Sequence, residues 1–310
     1  MSMLLRGFVE SPLNYTGGKF RILSQITPLF PEIKGTFIDL FCGGCNVGIN
    51  AECEKVVFND INGTLIDLFK TFKMFDKDEL FQIIDGIIDK YGLSRSDKYG
   101  YEAYKCDSSS GLGSYNKPRF LRLRDDYNNN RERDSYRSIM LYVLIVYSFN
   151  NQIRFNKKNE FNLPVGKRDF NRKMQRKLLD FVERLQTGNY EFSNKSFKYF
   201  DTSNLGKDDF IYADPPYLIT CATYNDQIGW NWEKELQLLQ FLDSVDACGI
   251  RFALSNVLSS EGKTNRLLNN WVERNAVRYF VHHLDFNYSN SSYHKKDKTT
   301  GSDEVLITNY

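Results

Sequence analysis

Short apolar segments alternate with amphipathic ones at both ends of this chain, and several of the apolar segments run into an acidic residue. GTFIDLFCGG (35–44) and KVVFNDIN (55–62) form the first pair, with VGINAEC (47–53) between them as a predicted short helix. DDFIYAD (208–214) opens a second series, which continues with a predicted helix and the strand GIRFALSN (249–256). This alternation predicts an α/β fold with a mostly parallel sheet, whose ligand sites lie at the carboxyl ends of the strands.

The middle of the chain is predicted to be helical and basic. Residues 62–105 and 118–150 carry apolar residues at helical spacing, and residues 151–169 are typical of a hairpin or an ordered loop. Residues 115–177 contain 16 Lys and Arg against 6 Asp and Glu, a net of +10, whereas the whole chain sums to +2. A local basic surface suits a polyanion, and a well-solvated helical surface is the alternative.

Two glycine-rich stretches favour a nucleoside ligand. LNYTGGKFRIL (13–23) can bring backbone amides and a lysine close to an anion, with a plain turn as the alternative. FIDLFCGGCNVG (37–48) places small residues after a strand, where the backbone can approach a ligand. Asp60 follows the next strand, 21 positions after Asp39, and an acid at that spacing can bind ribose hydroxyls. No G-x-G-x-x-G occurs, so NAD is not favoured.

Cys42 and Cys45 form a C-x-x-C within the second stretch. A redox or zinc role is the alternative here, but no second cysteine pair accompanies it and the glycine turn already explains the residues.

The stretch Asp214-Pro215-Pro216-Tyr217 ends a predicted strand with a carboxylate and two rigid residues. Proline lacks an N–H and has a fixed φ, so the carbonyls of this stretch need not join the sheet. A carboxylate and a proline carbonyl are two acceptors that match the two hydrogens of an amino group, and a tyrosine gives a flat face for a base. The stretch therefore predicts a site for an amino-bearing aromatic ring; a strand merely stopped by two prolines is the alternative.

These motifs, in this order, resemble those of the Dam-type (alpha-class, D12) DNA adenine-N6 methyltransferases. The matching elements are TGGK, an F-x-G-G that begins at Phe41, NDIN, DPPY and the stretch FNNQIRFNKKNEFNLPVG (149–166). The resemblance covers nearly the whole chain. It implies a Rossmann-like methyltransferase fold with a mostly parallel seven-stranded sheet.

The resemblance also implies a division into domains. Residues 1–64 and 178–310 would form the catalytic domain. Residues 65–177 would form an inserted helical target-recognition domain with a hairpin near 149–168. The implied activity is transfer of a methyl group from S-adenosylmethionine to N6 of an adenine flipped out of double-stranded DNA, without a metal.

Residue roles follow from the same resemblance. The expected catalytic residues are Asp214, Pro215, Pro216 and Tyr217. The expected cofactor-binding residues are Tyr15, Lys19, Asp39, Phe41, Gly43, Asp60 and Asp214. The expected DNA-binding residues are Phe149, Asn150, Arg154, Asn156 and Pro164, of which Arg154 would read a guanine. Family members that act on GATC usually carry a lysine at the position of Asn14 and an apolar residue at that of Gln152, so a GATC target is not implied.

Two other functions are compatible with such motifs: an amino-methyltransferase acting on RNA or protein, and a sequence-specific DNA-binding regulator with an inactive cofactor pocket. The chain has no apolar run long enough to cross a membrane, no secretion signal and no disulfide framework among its six cysteines. We therefore expect a monomer in the cytoplasm of a bacterium or of a phage-infected cell, with any cognate restriction endonuclease acting separately.

Overall fold

A computed structural model describes residues 7–130, 132–220, 229–285 and 301–310. Its centre is a sheet in the order β3-β2-β1-β4-β5-β8-β7, with β6 added beside β5. The pairs among β1 to β5 on this path are parallel, whereas β8 runs antiparallel to both of its neighbours. The strands are β1 (Thr36–Asp39), β2 (Lys55–Asn59), β3 (Tyr190–Ser193), β4 (Phe210–Ala213), β5 (Arg251–Ser260), β6 (Lys263–Thr264), β7 (Phe280–Leu284) and β8 (Ser302–Thr308).

This strand order confirms the predicted α/β class and the Rossmann-like methyltransferase fold with a seven-stranded path. The order reverses between β1 and β4, so the crevice at their carboxyl ends is the topological switch point where such sheets bind ligands. Two local expectations were incomplete. β3 was not recognised in the sequence, and the predicted helix at 47–53 is a single 3₁₀ turn, Gly48–Asn50.

Nine α-helical segments lie within the described residues, and six of them begin at a side-chain cap. Asn62, Asp76, Asp134, Asn171, Asn231 and Asn265 each accept a hydrogen bond from a backbone N–H of the first turn. The helices are α1 (Leu23–Ile26), α2 (Gly63–Met74), α3 (Lys77–Tyr91), α4 (Ser96–Tyr99), α5 (Gly113–Asn129), α6 (Ser135–Tyr147), α7 (Arg172–Thr187), α8 (Trp232–Ala247) and α9 (Arg266–Arg274).

The core has two parts because side chains alternate between the faces of each strand. On one face, Phe37 and Tyr212 of the sheet belong to a cluster that continues into α2, α3, α5, α6 and α7. On the other face, Ile38 and Ile211 pack with residues of α8 and α9. Helix α6 is buried from Ile139 onward. The basic helical segment is therefore packed on the sheet through a continuous apolar core, which fixes the base of the hairpin that follows α6.

Among the described residues, no helix is both long and apolar enough to span a membrane.

Candidate active site

Three carboxylates meet at the carboxyl edge of the sheet because they end three adjacent strands. Asp39 is the last residue of β1, Asp60 follows β2, and Asp214 follows β4. Since β1 lies between β2 and β4, the structure brings these predicted site residues to one crevice.

Asp39 braces the loop that follows β1. Its Oδ2 accepts a hydrogen bond from the backbone N–H of Gly48 at 3.1 Å, and the side chain is buried. Burial raises the pKa of Asp39 to about 8, although the Gly48 hydrogen bond opposes this shift. Asp39 thus holds the loop in place through a buried hydrogen bond.

The glycine loop between β1 and the 3₁₀ turn is tight and carries Tyr15 against it. Gly43 has φ +46°, and a Cβ there would lie 2.8 Å from the Tyr15 ring. Cys45 has φ +60° and donates its N–H to the carbonyl of Cys42 at 2.6 Å. Burial raises the pKa of both thiols, as expected of cysteines that pack rather than react.

Asp60 is buried beside this loop and holds it. Its Oδ2 accepts from the Gly43 N–H at 3.0 Å and its Oδ1 from the Asn62 N–H at 2.8 Å. Burial raises the pKa of Asp60, while the two backbone hydrogen bonds oppose the shift. Each carboxylate oxygen keeps a further lone pair. Asp60 can therefore accept from two hydroxyl groups of a ligand.

Lys19 joins the N-terminal glycine turn to the D-P-P-Y stretch. Its Nζ lies 2.9 Å from Oδ1 of Asp214 and donates to the carbonyl of Gly17 at 2.9 Å. The lysine side chain is only 4% exposed. Desolvation raises the pKa of Asp214, and Lys19 opposes that shift. The TGGK and DPPY motifs are thus joined by one ion pair.

Tyr217 and the prolines complete this corner. Tyr217 is buried, with its ring centre 4.9 Å from Nζ of Lys19, and its carbonyl accepts from the N–H of Thr220 in a turn. Pro215 is buried and Pro216 half-buried. No other described residue donates a hydrogen bond to the Pro215 carbonyl.

Glu304 is a member of this cluster that sequence reasoning missed. It lies on β8, its side chain is 1% exposed, and its Oε1 is 3.7 Å from Nζ of Lys19. The same oxygen accepts from the Tyr217 hydroxyl at 3.0 Å. The sequence does contain one sign of this role: a carboxylate begins the apolar segment EVLIT, at the end of the strand that lies next to the site.

Phe41 lies in an aromatic group at the side of the crevice. Its ring centre is 5.6 Å from that of Phe197 and 5.8 Å from that of Trp230. The indole N–H of Trp230 donates to Glu235 at 2.7 Å, which fixes the ring. Phe41 is half-buried, so part of its surface remains open to a ligand.

The hairpin that follows α6 carries the predicted DNA-binding residues. It is closed by a bridge between Ser148 and Val165 and by another between Phe155 and Phe161. Gly166 permits the closure because a Cβ there would lie 2.3 Å from the Ser148 carbonyl oxygen.

The five predicted DNA-binding side chains do not share one environment. Phe149 is 52% exposed beside the hairpin base, and Asn150 and Pro164 are exposed near it. Arg154 is exposed, but its Nε donates to Oδ1 of Asn162 at 2.8 Å. Asn156 is occupied in its own turn, where its Oδ1 accepts from the N–H groups of residues 158 and 160.

The hairpin also contacts the N-terminal glycine-rich stretch, residues 13–23. Asn14, next to Tyr15, donates to the carbonyl of Asn150 at 3.1 Å.

Part of the basic charge predicted for residues 117–177 is paired: Arg133 with Asp67, Arg176 with Asp180, and Lys177 with Glu10. Lys157 and Lys158 at the hairpin tip are exposed.

Fold and site together define the class: a Rossmann-like methyltransferase sheet whose switch point holds an acid after β2 and an Asp-Pro-Pro-Tyr after β4. The chain belongs to the D12 class N6 adenine-specific DNA methyltransferase family, whose model matches residues 15–288.

Curated relatives agree with this assignment. Modification methylase StsI of Streptococcus sanguinis is 44% identical over 309 residues, which cover 98% of this chain and 43% of that protein. Type II methyltransferase M.FokI of Planomicrobium okeanokoites is 41% identical, again covering 98% and 43%. Type II methyltransferase M1.LlaDCHI of Lactococcus lactis subsp. cremoris is 25% identical, covering 96% and 94%. The chain thus spans less than half the length of the first two relatives and nearly all of the third.

Proposed function

We propose that this chain transfers a methyl group from S-adenosylmethionine to N6 of an adenine that is flipped out of double-stranded DNA. The observation that carries the proposal is the buried corner in which Lys19 pairs with Asp214, beside Tyr217 and the uncommitted Pro215 carbonyl. The crevice next to it has the glycine loop and Asp60 that a nucleoside requires.

The residues present fit the cofactor. Asp60 offers acceptors to the two ribose hydroxyls, and Phe41 offers an aromatic surface beside them. The small residues around Gly43 allow close approach of the backbone, with Asp39 bracing the loop and Tyr15 packed on it. Carboxylates at this edge suit a cationic ligand. When bound, S-adenosylmethionine supplies an electrophilic methyl group on its sulfonium.

The residues of the corner then act on the amino group. Lys19 engages Oδ1 of Asp214. In this proposal Oδ2 accepts one N6 hydrogen and the Pro215 carbonyl accepts the other. This arrangement aims the nitrogen lone pair at the methyl carbon, and alignment at about 3–3.5 Å is the main contribution. As positive charge grows on N6, the carboxylate would stabilise it. The C–S bond would break to release S-adenosylhomocysteine, and one N6 proton would pass through Asp214 to water. Tyr217 supplies a face for the extruded base, and rigid Pro216 holds the turn between them.

The hairpin supplies DNA contacts of different kinds. Exposed Phe149 can occupy the gap that a flipped base leaves, with Asn150 and Pro164 beside it. Arg154, held by Asn162, presents its remaining N–H groups to a base edge, and Asn156 shapes the tip. Exposed lysines at the tip suit phosphates.

The biological role of the methylation and the domain organisation of the chain are also proposed here. Because the first two relatives are named a modification methylase and a Type II methyltransferase, we expect methylation that protects a site from a separately acting endonuclease. We propose a monomer working in the cytoplasm, with residues 65–177 as its target-recognition domain and residues 1–64 and 178–310 as its catalytic domain.

Methyl transfer to duplex DNA is the decisive test. The purified chain is incubated with labelled S-adenosylmethionine and plasmid DNA, and the digested nucleosides are identified by mass spectrometry. We expect N6-methyladenine from the wild type and none from Asp214→Ala. Asp201→Ala, which removes an exposed carboxylate, is the control and should retain the rate.

The other hypotheses give different results. Label in RNA or protein but not in DNA would contradict the proposal that DNA is the substrate. Tight, sequence-selective DNA binding without cofactor binding in equilibrium dialysis would instead support a DNA-binding regulator with an inactive cofactor pocket.

A further inference from the structure

Among the described residues, three charged groups meet at the corner around Asp214: Lys19 and Glu304 are buried, and Asp214 is half-buried. Lys19 brings one positive charge, and Asp214 and Glu304 bring one negative charge each, at 2.9 Å and 3.7 Å from the lysine Nζ. A buried carboxylate is costly unless it is paired or hydrogen-bonded. Glu304 meets this condition through Lys19 and through the Tyr217 hydroxyl, so its burial ties it to both of these site residues.

Glu304 changes the charge that the corner presents to its ligand. With Lys19 and Asp214 alone, the formal charges would cancel at the place where a positive charge develops on N6. With Glu304 included, these three described groups carry a net negative charge, and its effect is strengthened because Lys19 and Glu304 are buried.

The second contact of Glu304 acts on the ring of Tyr217. The Tyr217 hydroxyl donates to Glu304 at 3.0 Å, and burial makes this hydrogen bond to a charged acceptor a strong one. Because the bond fixes the far end of the ring, it sets the plane on which a base can stack. One side chain thus contacts both the cation that pairs with Asp214 and the aromatic face beside it.

The register of the sheet explains how one residue reaches both partners. Glu304 lies opposite Val257 of β5 and Leu284 of β7. Val257 is three residues beyond Leu254, which pairs with Ala213 at the end of β4. Glu304 therefore enters from the strand that runs back toward the carboxyl edge, at the level of the D-P-P-Y stretch.

We propose that Glu304 is a positioning residue for methyl transfer: it offsets the positive charge of Lys19 and anchors the Tyr217 hydroxyl, so that the corner presents a net negative charge and a fixed aromatic ring to the amino group. This inference rests on the proposed function, because it assigns a role within the same site.

The charge of Glu304 should affect the pH dependence of the reaction, whereas a role in packing alone would not. Among the described residues, six titratable groups interact with Asp214: Lys19, Tyr217, Glu304, Tyr212, Tyr15 and Asp39. Of these, Glu304 raises the pKa of Asp214, whereas Lys19 and the Tyr217 hydrogen bond lower it. Glu304→Gln removes the first influence, so the pKa of Asp214 should fall and the acidic limb of the rate profile should move to lower pH.

The experiment compares Glu304→Gln and Glu304→Asp with wild type in single-turnover methylation of duplex DNA across pH. For Glu304→Gln we expect a rate about 100-fold lower, at the lower end of what is lost with one preorganised electrostatic contact. Affinities for S-adenosylhomocysteine and DNA should change by less than about threefold, since the loss is in the reaction rather than in binding. Glu304→Asp should recover part of the rate. Asp303→Asn, on the same strand and facing the other way, is the matched control and should match wild type.

A second readout does not depend on activity. The titration of Asp214 is followed by NMR of carboxyl-labelled aspartate, with Asp214→Asn used for assignment, and the pKa should be lower in Glu304→Gln. An unchanged pKa, or a full methylation rate, overturns the inference. If the wild type transfers no methyl group, the proposed function fails, but the titration still decides whether Glu304 sets the charge at Asp214. If Glu304→Gln does not fold, Glu304→Asp and Tyr217→Phe are titrated in its place, and both should alter the pKa.

Discussion

Replacing Asp60 by asparagine should weaken cofactor binding without unfolding the loop. Both carboxylate oxygens receive a backbone N–H, from Gly43 at 3.0 Å and Asn62 at 2.8 Å. An asparagine must turn its NH₂ toward one of these donors, and it has no second acceptor for a ribose hydroxyl. Hydrogen bonds to a charged group contribute about 1.5–3 kcal/mol each. Loss of one such bond to the ligand predicts a Kd about 10- to 150-fold higher.

The assay is isothermal titration calorimetry with S-adenosylhomocysteine. Asp209→Asn is a matched control, because Asp209 also accepts from two backbone N–H groups, those of Thr36 and Gly206. Asp209 lies at the opposite end of the sheet from Asp60, about 16 Å away along the strands. Both variants should lose some stability, but only Asp60→Asn should lose affinity. Equal affinities for the two variants would refute the assignment of Asp60 to the ribose.

Three further predictions concern the loop, the hairpin and its arginine. Gly166→Ala should destabilise the protein in urea by about 1–3 kcal/mol, because its Cβ meets the backbone of residue 148; Gly86→Ala, with open space around its Cβ, should be neutral or stabilising. Asp39 has a folded-state pKa of about 8, raised above its unfolded value, so its contribution to stability is fully present below about pH 4. That contribution is lost as pH rises toward 8, and Asp39→Asn should flatten this decline in urea midpoints measured from pH 5 to 8; parallel curves would contradict it. Arg154→Lys keeps the charge but loses the fork, so discrimination among DNA sites should fall by about 1–3 kcal/mol, whereas Lys158→Ala should weaken binding to all sequences equally.

The parts of the fold that the sequence predicted are those with strong local patterns. β1, β2, β4 and β5 are apolar runs with a turn or an acid at their ends, and their alternation with helices determined the class. β3 has only four residues, of which Glu191 is exposed, so its pattern is too short to distinguish from a loop. The turn at residues 48–50 has helical spacing, but it ends after three residues because the backbone of Ala51 is extended, with φ −73° and ψ 138°.

The candidate site divides in the same way. Asp60 and Asp214 follow strands, so their meeting at the switch point could be derived from chain order alone. Glu304 is 90 residues beyond Asp214, and its pairing with Lys19 and Tyr217 depends on the antiparallel register of β8. The contact of Asn162 with Arg154 likewise depends on the hairpin pairing. Such long-range contacts leave no periodic trace in the sequence.

In the proposed mechanism, Asp214 and the Pro215 carbonyl hold the amino group of an extruded adenine. The most direct measurement is a crystal structure of the chain with duplex DNA that carries its methylation site and with S-adenosylhomocysteine. N6 should lie within about 3.2 Å of Oδ2 of Asp214 and of the Pro215 oxygen, with the base on Tyr217. A flipped adenine seated elsewhere, with Asp214 still turned wholly to Lys19, would contradict the account.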